Sequence, residues 1–253
     1  MASNYSLDDT THTVTVNRKA LAVTGSSAAG KSYDGTTNAT VTAGTLSGFV
    51  GSETVSASAT GSFDSANAGS RSVTASYTLA DGAGGGVANN YSLADTIHTA
   101  TISAKALSIS GTVVAGKVYD GSTTAPVSTT GAVAGLVSGE SLTITPTAAY
   151  NTAAAGTGRT ATVSFGLTDG TGLAANYTLA NVARTGLTIT AKTLNLSGLI
   201  AAGKVYDGTP SAAVALVSGV PQWGSLSGVV SGDSVSLVTS SHSASYDNRN
   251  AGT

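Results

Sequence analysis

The chain of 253 residues carries 11 Lys and Arg against 13 Asp and Glu, a net charge of −2, with 41% hydrophobic, 5% aromatic and only 9% charged side chains. That balance excludes the basic footprint of a nucleic-acid binder, and no run of about eighteen apolar residues is available to cross a membrane as a helix. The absence of cysteine excludes a disulfide framework and thiolate metal sites, and neither mark of disorder, low hydrophobicity or high net charge, is present.

In chain order, Met1-Ala2-Ser3-Asn4-Tyr5 has no charged stretch leading into an apolar one, so no secretion signal is read there. Thr13-Val14-Thr15-Val16 alternates with period two and predicts a strand. Gly30-Lys31-Ser32-Tyr33-Asp34-Gly35 predicts a tight turn with Gly35 at positive φ and Tyr33 packed beneath it. Leu46-Ser47-Gly48-Phe49-Val50 follows, then the single acid Glu53, then Phe63 six residues before Gly69. Asp81-Gly82-Ala83-Gly84-Gly85-Gly86 is a variable loop, because no lysine or helix follows to make a phosphate cradle. Thr101 to Ile109 shows no Gly or Pro break and predicts one extended strand leaving one module for the next.

The same landmarks then return. Asp34 is followed by Asp120 after 86 residues and by Asp207 after another 87, each in Gly-Lys-x-Tyr-Asp-Gly. Asn4-Tyr5-Ser6-Leu7 returns as Asn90-Tyr91-Ser92-Leu93 and Asn176-Tyr177-Thr178-Leu179. Glu53 is matched by Glu140 and Asp233, and Lys19-Ala20-Leu21 by Lys105-Ala106-Leu107 and Lys192-Thr193-Leu194. Repetition at this length points to tandem modules. Residues 1–18 read as closing strands of a preceding repeat, 19–104 as module 1, 105–191 as module 2, and 192–253 as module 3, incomplete at its C-terminus. The chain thus reads as a slice of a longer array. Val220-Pro221-Gln222-Trp223 reads as a loop insertion special to module 3, with Trp223 as a candidate surface contact.

Short alternating runs rich in β-branched residues, punctuated by Gly, Asn, Asp and Ser, predict an all-β fold with about six strands per repeat. Small immunoglobulin-like β-sandwiches of about 86 residues in an elongated array are the preferred architecture, with β-grasp-like modules as the alternative. The landmarks Tyr33-Asp34-Gly35, Tyr119-Asp120-Gly121 and Tyr206-Asp207-Gly208, with Tyr5, Tyr91 and Tyr177, read as architecture: too few acids surround the aspartates to ligate a hard cation. Lysines recurring in phase, Lys31, Lys117 and Lys204 beside the motif and Lys19, Lys105 and Lys192 in the inter-repeat strand, read as solvated or snorkelling side chains, with an amide cross-link to Asn as the sharper alternative. His12 and His98, beside Asp9 and Asp95, form no close cluster with His242, and no nucleophile elbow occurs, so no catalytic, cofactor or metal site is expected.

The motif Gly-Lys-x-Tyr-Asp-Gly-(Ser/Thr), the segment ending in Glu53, Glu140 or Asp233, and the closing Asn-Tyr-(Ser/Thr)-Leu together resemble the YDG-type repeats of large secreted bacterial surface adhesins of the filamentous haemagglutinin, two-partner secretion class. The resemblance implies an extracellular, cell-surface location and a non-enzymatic stalk that projects an adhesive region. Two other roles stay open: a self-associating filament or biofilm-matrix subunit, in which the orphan strands of one chain complete another's unfinished module, and a module binding host or matrix glycans. The expected partners are neighbouring repeats of the same polypeptide.

Overall fold

The computed structural model describes residues 4–6, 11–217, 220–240, 243–247 and 249–252. Regular structure there is strand, apart from short 3-10 turns such as Ala88–Asn90 and Ala174–Asn176. The first repeat has ten strands, of which four are two residues long; the remaining six match the number that alternation predicts. Strand β1 (Lys19–Thr24) is followed by β2 (Ser27–Ala28), β3 (Lys31–Ser32), β4 (Asn38–Ala39), β5 (Val41–Thr42) and β6 (Thr45–Ser47). The longer strands β7 (Val55–Phe63) and β8 (Gly69–Asp81) come next, then β9 (Tyr91–Leu93) and β10 (Thr96–Ser103).

These strands form a small sheet, β6-β1-β9, and a large one, β3-β10-β8-β7-β4, beside the pair β2-β5. The β7–β8 pair runs in register from Val55↔Asp81 to Phe63↔Val73. Both sheets are mixed: β1 runs parallel to β9, with Lys19 opposite Tyr91, and β10 runs parallel to β3. The second repeat reproduces both sheets, with Lys105 opposite Tyr177 in the small one and Lys117 opposite Ile189 in the large one. It carries one extra residue between Gly156 and Arg159, which the ladder absorbs as a bulge with Gly158 at φ +68°. The expected continuous strand from Thr101 to Ile109 is broken at Ala104 alone.

Compactness does not follow the sequence repeats. One compact unit comprises residues 1–108, 133–143 and 167–179, and the other 109–132, 144–166 and 180–253. In the first unit, Tyr33, Phe63, Val73, Ala100 and Ile102 of repeat 1 form one core with Leu107 and Tyr177 of repeat 2, flanked by Leu136 and Val137. A smaller core gathers Leu21, Val55 and Tyr91. In the second unit, Val114, Ala125, Tyr150, Ala161, Val163 and Ile189 are buried together. An open large sheet of small residues has too little apolar surface to close on itself; the next repeat's small sheet supplies the missing layer.

Two local expectations need correction. Thr13 to Val16 is not a strand, and Val14 and Val16 are 83% and 91% exposed; Ala100 and Ile102, at the corresponding places, are held by pairing with β8 and β3, and among the described residues this segment pairs with no strand. Val220 to Trp223 is not a loop: Val220–Pro221 pairs with Leu216–Val217, and Trp223–Ser227 pairs with Asn195–Leu199.

Glycines fix the crossing between small-sheet strands. Gly44, Gly131 and Gly224 recur at φ +79°, +99° and +77°, and a Cβ on Gly131 would press on the Ser110 carbonyl and lie 2.9 Å from the Thr112 amide. Gly111 has φ +75° but open space around its missing Cβ. Gly131→Ala is therefore expected to lower stability by about 2–3 kcal/mol and Gly111→Ala by about 1 kcal/mol in urea denaturation. Equal losses would remove the close approach as the cause.

Candidate functional site

The Tyr-Asp-Gly turn is built around a lysine. Lys31 Nζ donates to Asp34 Oδ1 at 2.8 Å, to the Thr36 carbonyl at 2.7 Å and to the Thr36 hydroxyl at 2.9 Å, using the three donors an ammonium has. Asp34 Oδ1 also accepts from the Thr36 amide and hydroxyl at 2.8 and 2.9 Å, a side-chain turn that leads into Gly35 at φ +78°. The ammonium stands 5.5 Å above the Phe63 ring. Lys117, Asp120 and Ser122 repeat the arrangement over Tyr150, and Lys204, Asp207 and Thr209 repeat it over Tyr246. The neighbouring lysine holds each of Asp34, Asp120 and Asp207 down at about 2. Each lysine is thus committed to its own turn, facing Asp and Thr or Ser and not an Asn amide. Among the described residues no three His, Asp or Glu side chains converge as a metal would require.

The tyrosine of the turn reaches out of its own repeat. Tyr33 is 5% exposed; its hydroxyl donates to Glu140 Oε1 at 2.5 Å and its ring meets Tyr177 edge-on at 5.4 Å. Tyr177 donates to the other oxygen, Glu140 Oε2, at 2.6 Å and accepts from the Val137 amide at 3.0 Å. One carboxylate therefore holds the tyrosines of two successive repeats in short, charge-assisted bonds. Beside it the buried Asn176 accepts from the Ala68 amide at 2.8 Å and donates to Asn67 Oδ1 at 3.1 Å. Gly35 faces the same contact: a Cβ there would lie 3.1 Å from Val137 Cγ1. Burial, then the Glu140 carboxylate, pushes the Tyr33 hydroxyl up to about 12, and the same two causes raise Tyr177.

The other landmark tyrosines show the same device in different states. Tyr91 is buried and donates to Glu53 Oε2 at 2.5 Å. Tyr119 donates to Asp233 Oδ2 at 2.7 Å. Tyr206 and Tyr5 are exposed, at 62% and 86%. For Tyr33 and Tyr119 the expectation that the motif tyrosine packs beneath its own turn thus gives way to a contact with the following repeat.

His98 Nε2 lies 3.2 Å from Ser26 Oγ and 2.8 Å from Thr96 Oγ1, which meets the Tyr77 hydroxyl at 2.8 Å. At the same places in repeat 2 stand Arg184 and Thr112, joined by Arg184 Nε donating to the Thr112 carbonyl at 2.8 Å. Two unrelated chemistries tie the same strands, which marks the link as structural. Trp223, expected as an exposed contact, is half-buried at the start of its strand, opposite Leu199 in the ladder. His12 is exposed, and His242 and Asp9 lie outside the described residues. Sequence reasoning named Glu53, Glu140 and Asp233 as recurring acids, and Asn176 as part of the closing motif, without assigning any of them a role; their recurrence beside an equally recurrent tyrosine was the available signal.

A family model described as the YDG domain matches residues 17–99, 103–185 and 190–253. The chain belongs to the YDG domain family. No curated protein and no solved structure matches it. In the first two of these YDG domains the eponymous tyrosine, Tyr33 or Tyr119, is a joint to the following copy, and the Asp-Gly pair is the turn that presents it.

Ionisation gives the joint a pH signature. The folded Tyr33 has its pKa raised above the ordinary value of 10, so its contribution is fully present below pH 10 and is lost as pH rises through about 12. Tyr33→Phe is expected to cost about 1.5–3 kcal/mol at pH 8, and its melting temperature should converge on that of the parent chain between pH 10 and 12. The three aspartates act in the opposite sense: their lowered pKa contributes stability above pH 3.8 that is lost as pH falls through about 2. Parallel melting curves for Tyr33→Phe and the parent across the alkaline range would contradict the tyrosine assignment.

Proposed function

We propose that these YDG domains form stalk or spacer repeats of a bacterial extracellular adhesin, holding an adhesive region away from the cell. The observation that carries this reading is the core shared between Tyr33, Glu140 and Tyr177, two residues of which come from the repeat after Tyr33's own. A protein selected for a pocket would converge its polar groups on a ligand space. Here the recurrent polar groups are spent on joining one copy to the next, which is what a load-transmitting series requires. The resemblance of the repeats to those of secreted surface adhesins supports the extracellular setting and supplies the adhesive context.

Pulling the chain from its ends in a force spectrometer tests the mechanical role. Each repeat of about 86 residues should release roughly 280–310 Å of contour on unfolding, and Glu140→Gln should lower the force of the event that opens the first compact unit. A chain that extends without force peaks, or that binds a glycan array through Trp223 with loss in Trp223→Ala, would replace the stalk reading with a binding module.

A further inference from the structure

The side chains that oxidise most easily are nearly missing from this chain, which has no cysteine and a single methionine beside nine tyrosines and one tryptophan. Thiols and thioethers are the usual first sites of oxidation; here oxidising equivalents fall on phenol and indole rings. Among the tyrosines, Tyr33 and Tyr177 stand apart. Their rings meet edge-on with centroids 5.4 Å apart, and no other two tyrosine rings are in contact among the described residues. They are 5% and 4% exposed, so each faces the other and is shielded from other chains.

The two hydroxyls also share a base. Tyr33 donates to Glu140 Oε1 at 2.5 Å and Tyr177 to Oε2 at 2.6 Å, which gathers both phenol oxygens, and the ring carbons ortho to them, at one carboxylate. A phenol gives up an electron readily when its proton leaves with it, and a bonded carboxylate is placed to take that proton. Glu140 is half-buried, which leaves it a route for passing the proton to water. The other buried tyrosines each lack one part of this arrangement. Tyr91 has a carboxylate in Glu53, but its edge-on neighbour is Phe49, at 5.9 Å. Tyr150 donates to the Ala115 carbonyl, which is no base for a phenol.

We propose that Tyr33 and Tyr177 are an oxidative cross-linking site, at which a one-electron oxidant such as a peroxide-driven haem peroxidase couples the two rings into a dityrosine. The electrons leave by tunnelling through the protein, so the oxidant need not touch the rings. Each phenol gives one electron to the oxidant and its hydroxyl proton to Glu140, which releases the first proton to water before it takes the second. The two phenoxyl radicals join through their ortho carbons in one carbon–carbon bond, and the hydrogen on each of those carbons moves to the phenol oxygen. Two hydrogen atoms leave the protein, and one hydrogen peroxide becomes two waters. The bond ties repeat 1 to repeat 2 covalently, as a disulfide would in a chain with cysteines. The inference rests on the joint between the repeats and holds independently of the stalk reading.

The test uses the full chain with Tyr5→Phe and Tyr206→Phe, which removes two exposed phenols, at high dilution with photogenerated ruthenium(III) tris-bipyridyl or with a haem peroxidase and hydrogen peroxide. The monomer should lose the mass of two hydrogen atoms, gain dityrosine fluorescence and yield one cross-linked peptide pair, joined at Tyr33 and Tyr177. Adding Tyr177→Phe, which keeps the ring in the core, should abolish the product. Urea, which separates the rings, and Glu140→Gln, which keeps the shape of the acceptor without its charge, should each lower the yield about tenfold or more. In a force spectrometer the cross-linked chain should lack roughly 475–520 Å of contour, the length of the 144 residues between the two positions. A monomer without dityrosine, a link through any other pair of tyrosines, or a yield unchanged in urea or in Glu140→Gln would each overturn the proposal.

Discussion

The structure depends on one carboxylate with two tyrosine hydroxyls on it. Glu140 sits where the large sheet of one repeat meets the small sheet of the next, and its two oxygens are matched one each by Tyr33 and Tyr177. Glu140 is half-buried, and each of its two oxygens has a tyrosine partner. With both oxygens bonded, the charge becomes a geometric constraint: the two tyrosines approach edge-on only when both repeats are correctly placed. The apolar residues around it, Phe63, Val73, Ile102 and Leu107, then close over a contact that neither repeat could make alone.

The lysine-centred turn is the support for that contact. Lys31, Asp34 and Thr36 saturate one another, so the turn is rigid before its tyrosine meets anything. Its energy is modest, because the aspartate is half-exposed and surface ion pairs contribute little. Its value is in aim: the hydroxyl of Tyr33 leaves a fixed loop and arrives at a fixed distance. The same division of labour recurs with Lys117 and Tyr119 and with Lys204 and Tyr206, whatever the second residue is doing at its far end.

Much of this was legible in the residues. Short alternating runs rich in β-branched residues give the all-β fold, the Asp-Gly pair gives the turn with positive φ, and self-comparison gives three copies with their order. What local pattern could not express is which copy a side chain serves. Tyr33 and Tyr177 are 144 positions apart, and nothing in the covalent period says that Tyr33 belongs to the core of another repeat. Strand prediction at Thr13 to Val16 failed for a related reason: alternation describes a surface fit for pairing, while a strand also needs a neighbour. At Val220 to Trp223 the error ran the other way, since the extra length of the third copy suggested a loop where short antiparallel pairing exists.

The shared core also orders events in time. A polypeptide made from its N-terminus completes its first large sheet with β10, at Ser103, before Glu140 and Tyr177 exist, so that sheet waits, half-covered, for 37 to 74 further residues. Such long-range closure is slow and leaves sheet surface exposed in the interval. The scarcity of large apolar side chains in these sheets, rich in Ser, Thr, Ala and Gly, suits a chain that spends that interval uncovered. Each arriving copy then acts as the lid on the one before it, and maturation sweeps along the polypeptide in a single direction.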